Sequence, residues 1–169
     1  AAYLTDHLIG CHTHLDADLI RSAALLHDIT KTRSFSTGED HALTGAEFLA
    51  ERGYPEVGDL VRQHVVLDIY NATKTPVEAD IINYADKRVL HDNIVDLDQR
   101  LDYILERYAE TPAHRDRINL LWQKTREMEK KLFKALSFVP DDLTRLIPHN
   151  GYTTELRKFQ NLSGSPGSA

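Results

Sequence analysis

The 169-residue sequence is poor in cysteine and has no long hydrophobic run. Its one cysteine, Cys11, cannot form an internal disulfide, which excludes a disulfide-stapled secreted scaffold and is typical of a reducing compartment. No apolar stretch approaches the roughly 20 residues that a membrane helix needs, and the start of the chain lacks the basic and apolar regions of a signal peptide. We therefore expect a cytoplasmic protein that does not interact with membranes.

The charge balance argues against binding to long nucleic acids. Twenty basic and 26 acidic side chains give a net charge of -6. Proteins that bind along a phosphate backbone carry concentrated basic charge, which this composition does not favour. Small anionic ligands remain compatible with it, provided that basic side chains are concentrated around one site.

Periodicity predicts an all-α fold of about seven helices, because apolar residues recur every three or four positions and strand-like alternation is nearly absent. The length is that of one compact domain. We expect a single helical domain over residues 1–162, with a motif-bearing core at about residues 15–92, C-terminal helices at 97–147 and a flexible tail at 163–169.

Capping signals predict where two important helices begin. The segment Thr75-Pro76-Val77-Glu78 is typical of a helix start, with Thr75 as the N-cap and Glu78 completing a capping box. This helix would carry Asp86. A long helix is expected to begin near Pro112 and to place Trp122 in the core.

Nine histidines are many for this length, and the setting of one of them indicates a metal site. His27 and Asp28 follow an apolar helix, so a ring nitrogen and a carboxylate reach the edge of the core together. An unpaired charge there would be costly, and a metal ion would satisfy both groups. Imidazole and carboxylate ligands suit Mn, Fe, Ni, Co or Zn better than Ca, and a carboxylate can bridge two ions about 4 Å apart.

Four segments together resemble the HD superfamily of metal-dependent phosphohydrolases. They are Leu26-His27-Asp28-Ile29-Thr30-Lys31, His41-Ala42-Leu43-Thr44-Gly45-Ala46-Glu47, His64 and Tyr84-Ala85-Asp86. The resemblance implies a helical bundle whose metal ligands come from separate helices. It also implies hydrolysis of a small phosphate ester, with a nucleotide as the favoured substrate, and one or two divalent ions as cofactor: Mn, Fe, Ni, Co or Zn, with Mg as an alternative.

The resemblance also implies a role for each matching residue. His27, Asp28 and Asp86 correspond to the name-giving pair and the closing carboxylate ligand. His41 and His64 match the additional histidines of two-metal members, which bind a second ion or donate a proton to the leaving group. Asp28 would bridge the ions and orient the attacking water. Lys31 would act with Asp28 in catalysis by stabilising a phosphoryl oxygen.

The first histidine ligand of the family has no obvious match in this chain. It normally lies on the helix before the His-Asp helix, where the sequence offers only His7, His12 and His14. The most natural alignment makes residues 1–8 the later part of that helix, so the missing histidine would precede Ala1. His7 is the better-placed substitute. Without this ligand, the site could still bind one ion through His41, His64 and Asp28, or it would be weakened or inactive.

Two other functions fit the same residues. A similar cage serves the mixed-valent di-iron oxygenases of this superfamily, which would consume oxygen and release no phosphate. A degenerate domain with a regulatory or binding role would bind its ligand without turnover. Each histidine taken alone is also explained as a hydrogen-bonded core residue.

Several further residues are weaker candidates. The pair His91-Asp92 repeats the dipeptide but has no partners downstream, so we interpret it as a structural or surface pair. Tyr70, Lys74 and Tyr84 are candidates for contacts with a base or a phosphate.

Overall fold

The structure, a computed structural model, describes residues 1–147 of the chain. This part folds into a helical bundle with one short antiparallel hairpin, which confirms the predicted all-α class. In chain order the elements are α1 (Ala2–Leu8), α2 (Ala17–Leu26), α3 (Lys31–Thr37), α4 (His41–Ala50), α5 (Pro55–Arg62), α6 (Glu78–Lys87), β1 (Val89–Leu90), β2 (Asn93–Ile94), α7 (Leu97–Tyr108), α8 (Pro112–Phe133), a 3-10 turn (Pro140–Asp142) and α9 (Leu143–Leu146). The predicted boundary at residue 162, the tail at 163–169 and His149 lie outside the described residues.

Aspartate caps set the start of the two helices that carry the His-Asp motif and the next histidine. The Asp16 carboxylate accepts hydrogen bonds from the first turn of α2, and the Asp40 carboxylate does the same for α4. Such caps satisfy backbone N–H groups that have no partner within the helix. Helix α2 ends at Leu26, with His27 as its C-cap residue, and His41 occupies the first position of α4.

Helices α4 and α5 pack backbone to backbone because glycine lies at their crossing. A Cβ atom on Gly58 of α5 would lie 2.7 Å from the carbonyl oxygen of Ala46 in α4. On the α4 side, a Cβ atom on Gly45 would lie 3.2 Å from a methyl group of Val61. This close approach brings the start of α4 next to the turn that follows α5.

The predicted start of α6 is wrong by two residues. The helix begins at Glu78, and Val77 rather than Thr75 is its N-cap residue. Asp80 supplies the acceptor in the first turn, since its carboxylate accepts a hydrogen bond from the Val77 N–H at 3.0 Å. The Glu78 carboxylate instead accepts a hydrogen bond from the Asp16 N–H at 3.0 Å, so it ties α6 to the start of α2.

Helix α3 and the β1–β2 hairpin were not expected from the sequence. Helix α3 is one reason that the described residues contain nine α-helices rather than about seven. Helix α3 is rich in serine and threonine, which have low helix propensity. It ends at Gly38, which has a φ of 72°. The hairpin of β1 and β2 turns through His91 and Asp92, with His91 at a φ of 56°. The second His-Asp pair therefore forms a turn, in agreement with its interpretation as a structural pair.

Helices α7 and α8 close the bundle against α6. Trp122 is buried, as predicted, and its indole N–H donates to the Leu97 carbonyl at 2.7 Å. The Tyr84 hydroxyl donates to Glu129 at 2.6 Å, and the Arg88 guanidinium donates to the same carboxylate at 2.9 Å. Within residues 1–147, no helix is both long enough and apolar enough to cross a bilayer.

Candidate metal centre

Four separate segments bring the five predicted ligand residues to one place. His27 and Asp28 follow α2, His41 begins α4, His64 follows α5 and Asp86 lies near the end of α6. The His27 Nε2 atom lies 3.7 Å from Asp86 Oδ1 and 3.5 Å from Asp28 Oδ2. The residues that the sequence pattern singled out are thus neighbours in space.

Asp28 lies at the centre of this cluster, and its two carboxylate oxygens face different partners. Oδ1 lies 3.3 Å from the Nε2 atom of His41 and 3.6 Å from that of His64. Oδ2 faces His27 and accepts a hydrogen bond from the Lys31 ammonium at 2.7 Å. The carboxylate therefore connects two groups of nitrogen donors.

Backbone carbonyls fix the orientation of two histidine rings. The Nδ1 atom of His27 lies 2.8 Å from the Ala24 carbonyl oxygen, and that of His64 lies 2.6 Å from the Val61 carbonyl oxygen. Because a carbonyl oxygen only accepts, each Nδ1 must carry the hydrogen. Each Nε2 then presents its lone pair to the cluster, which is the arrangement that metal-binding histidines require.

The electrostatics of the cluster favour a neutral His64 and an ionised Asp28. His64 is only 1% exposed, and burial lowers its pKa, so the ring stays neutral at physiological pH. Burial raises the pKa of Asp28, but the neighbouring His41 and Lys31 outweigh it and hold that pKa well below its usual range. Both are the protonation states in which these side chains bind a metal ion.

The donor set fits a metal ion, and Asp28, His41 and His64 form a group that could hold one. Asp28 Oδ1 is buried and has no hydrogen-bond partner among the described residues. The Nε2 atoms of His41 and His64 lie only 3.1 Å apart beside it. Potential ligand atoms that crowd around one buried carboxylate oxygen would be stabilised by a cation. Nitrogen and carboxylate ligands together suit a transition metal.

Comparison with known families agrees with this geometry. The family described as HD domain matches residues 1–89, more than half of the chain. The protein belongs to the HD domain family. This assignment places it in the superfamily of metal-dependent phosphohydrolases, whose members bind divalent metals. A search of curated proteins and a search of solved structures gave no significant match.

The three histidines before the His-Asp motif of this HD domain lie away from the cluster. His7 packs its ring against Phe138, with a centroid distance of 5.2 Å, and does not substitute for the first histidine of the family. The rings of His12 and His14 contact each other, and His14 also approaches the Pro76 carbonyl oxygen at 2.8 Å.

A cavity of about 800 Å³ opens beside the cluster. His27, Asp28, Lys31 and Asp86 lie in its wall. Further lining comes from Ala1 and Ala2, from Arg21, Leu25 and Phe35 on α2 and α3, and from Arg100, Tyr103, Ile104, Arg107 and Tyr108 on α7. The cluster is therefore accessible to a ligand larger than an ion.

The contribution of α7 to the cavity wall was not predicted from the sequence, because the family resemblance ends before Leu97. Its one available signal was the spacing of Arg100, Tyr103 and Arg107, which places them on one helix face. None of the residues suggested for ligand contacts, Tyr70, Lys74 and Tyr84, lines the cavity. Tyr84 is fully buried, with its hydroxyl bound to Glu129.

Proposed function

We propose that this HD domain is a metal-dependent phosphohydrolase that acts on a small organic phosphate ester, with nucleotides as the favoured class. One observation carries the proposal. A buried Asp28 oxygen, which has no hydrogen-bond partner in the described part of the chain, lies between the Nε2 atoms of His41 and His64, next to a ligand-sized cavity.

Two groups of residues would hold two ions, with Asp28 shared between them. His27, Asp28 and Asp86 form one group, and Asp28, His41 and His64 form the other. The two oxygens of Asp28 face these groups separately, which supports the assignment. A divalent transition metal supplies water activation near neutral pH and neutralises charge on phosphoryl oxygens.

Lys31 is a cation in direct contact with the cluster. Its ammonium lies 2.7 Å from Asp28, and it also lines the cavity. We assign to it the stabilisation of a phosphoryl oxygen as negative charge develops there. Asp28 orients the attacking water, and His41, which is half-buried, is placed to donate a proton to the leaving group if it does not bind an ion.

The cavity supports an organic substrate over inorganic phosphate. Its volume falls in the range of roughly 300–1,000 Å³ that is typical of sites for small organic ligands. Leu25 is 85% exposed and Phe35 is 75% exposed, and both line the cavity. Exposed apolar side chains around a polar site mark a surface that an apolar or aromatic group covers. A nucleoside has such a group in its base.

The test incubates the protein and Mn²⁺ with a panel of mono-, di- and cyclic nucleotides. Hydrolysis is measured as release of phosphate and as formation of nucleosides, detected by chromatography. The wild-type protein is compared with Asp28→Asn, which keeps the shape of the side chain and removes its charge. Asp116→Asn, an exposed aspartate on α8, is the matched control. We expect turnover in the wild type and the control, and none in Asp28→Asn.

The other functions give distinct results in the same experiment. Oxygen uptake by the iron-loaded protein, without phosphate release, would show a di-iron oxygenase. Nucleotide binding without turnover, at full metal content, would show a regulatory or binding domain. Equal turnover in wild type and Asp28→Asn would contradict the proposed site.

A further inference from the structure

The Arg100 guanidinium on α7 has no hydrogen-bond or ion-pair partner among the described residues. Its Nε atom is buried and has no hydrogen-bond partner within residues 1–147. No carboxylate of the described residues forms an ion pair with it. Six other arginines in the same part of the chain do form such pairs, namely Arg21, Arg33, Arg62, Arg88, Arg126 and Arg145. A half-buried cation that lacks compensation is costly, and an anionic ligand would offset that cost.

The position of Arg100 points to a ligand in the cavity of the metal cluster. Arg100 lines this cavity together with Asp28, Lys31 and Asp86. The guanidinium carbon lies 5.6 Å from the centre of the Tyr103 ring, which also lines the cavity. Stacking of this kind restricts a guanidinium group and leaves its edge available for hydrogen bonds.

Lys31 and Arg100 lie far apart in the chain and have different surroundings. Lys31 already contacts the cluster through Asp28, whereas Arg100 comes from α7, beyond the residues that the family match covers. A cation next to the cluster suits the phosphate that is hydrolysed. A separate cation without a carboxylate suits a second negative group on the same molecule.

We propose that Arg100 forms a second anion subsite, so that the preferred ligand is an organic phosphate that carries a further anionic group such as a second phosphate. This inference rests on the proposed function for the assignment of the first phosphate to the metal cluster. Arg100 is then a specificity-determining residue that acts through ligand binding.

The experiment measures binding of ligands that cannot be hydrolysed, so its outcome does not depend on turnover. Calorimetry with the Mn²⁺-loaded protein compares the affinities of phenylphosphonate, which has one phosphonate group, and of 1,3- and 1,4-benzenediphosphonate, which each have two. We expect at least one diphosphonate to bind about 10- to 100-fold more tightly than phenylphosphonate, because one charge-assisted hydrogen bond increases affinity by about this factor. This preference should vanish in Arg100→Gln, be largely kept in Arg100→Lys, and be unchanged in Arg117→Gln, an exposed arginine on α8.

The subsite would be overturned if the wild type bound neither diphosphonate more tightly than phenylphosphonate, or if the preference survived in Arg100→Gln. It would also be overturned if Arg100→Gln weakened the binding of all three ligands equally, because Arg100 would then contact the first phosphate. Thermal melting of each variant confirms that it is folded. If phenylphosphonate itself does not bind in the presence of Mn²⁺, the assignment of the first phosphate to the cluster fails instead.

Discussion

The Nε2 atoms of His41 and His64 lie 3.1 Å apart, although 23 positions separate the two residues in the chain. The contact depends on the crossing of α4 and α5, where Gly58 lies against the backbone at Ala46. His41 begins α4 and His64 follows α5, so this crossing brings both rings to one oxygen of Asp28. Helix packing and the proposed metal chemistry are therefore linked at a single glycine.

Replacement of Gly58 by alanine should destabilise the protein. The new Cβ atom would lie 2.7 Å from the Ala46 carbonyl oxygen, and backbone atoms cannot move aside cheaply. We expect a loss of about 1–3 kcal/mol in the free energy of unfolding, measured by urea denaturation. Gly10→Ala is the control, since no atom lies within 4 Å of a Cβ atom added there. Equal stability of Gly58→Ala and the wild type would show that the two helices are not held this closely.

Replacement of His41 by alanine should reduce the metal content without unfolding the protein. His41 belongs to one of the two proposed ligand groups, so the other group, with His27 and Asp86, keeps its ion. Elemental analysis of protein loaded with Mn²⁺ should show two ions per chain in the wild type and one in His41→Ala. His114→Ala, which removes an exposed histidine on α8, should retain both. Unchanged metal content in His41→Ala would exclude this histidine as a ligand.

Lys31→Gln should affect catalysis and leave metal binding intact. The ammonium contacts Asp28 but belongs to neither proposed ligand group. Loss of a group that stabilises developing charge typically reduces kcat by about 100- to 1,000-fold. We expect a decrease of this order in phosphate release, with normal Mn²⁺ content, and no effect of Lys124→Gln at an exposed position. A parallel loss of metal would instead assign Lys31 a role in holding the carboxylate.

Glu129→Leu should strongly destabilise the bundle. The Arg88 guanidinium is 4% exposed and pairs with Glu129 at 2.9 Å, which joins α6 to α8. Removing one partner of a buried ion pair leaves an uncompensated charge and costs about 3–5 kcal/mol. The same substitution at the exposed Glu127 is the control. If both variants unfold at the same urea concentration, the pair contributes nothing specific to the packing of these helices.

The local chemistry of the sequence predicted most of the residues that meet around Asp28. His27, Asp28, His41, His64 and Asp86 were identified because metal ligands must be nitrogen or carboxylate side chains, and their order matched a family pattern. The helix that begins at Pro112 was also predicted, because proline at a first position is a strong local signal. These features depend on residue type and short spacing, which a sequence displays directly.

Features that depend on tertiary contacts were not predicted. Helix α3 forms although its serine and threonine residues favour other conformations. The start of α6 was misplaced because Glu78 contacts Asp16, which is 62 positions away. The role of α7 in the cavity wall was missed for the same reason, since nothing near Arg100 in the sequence indicates that it lines the same cavity as Asp86.

The most direct measurement is anomalous diffraction from crystals of the Mn²⁺-loaded protein. We expect two peaks, one beside each carboxylate oxygen of Asp28, at about 2.0–2.3 Å from the ring nitrogens and oxygens that bind them. One peak should contact His27 and Asp86, and the other should contact His41 and His64. A map with no peak at Asp28, at Mn²⁺ concentrations that support phosphate release, would contradict a shared carboxylate at the centre of the site.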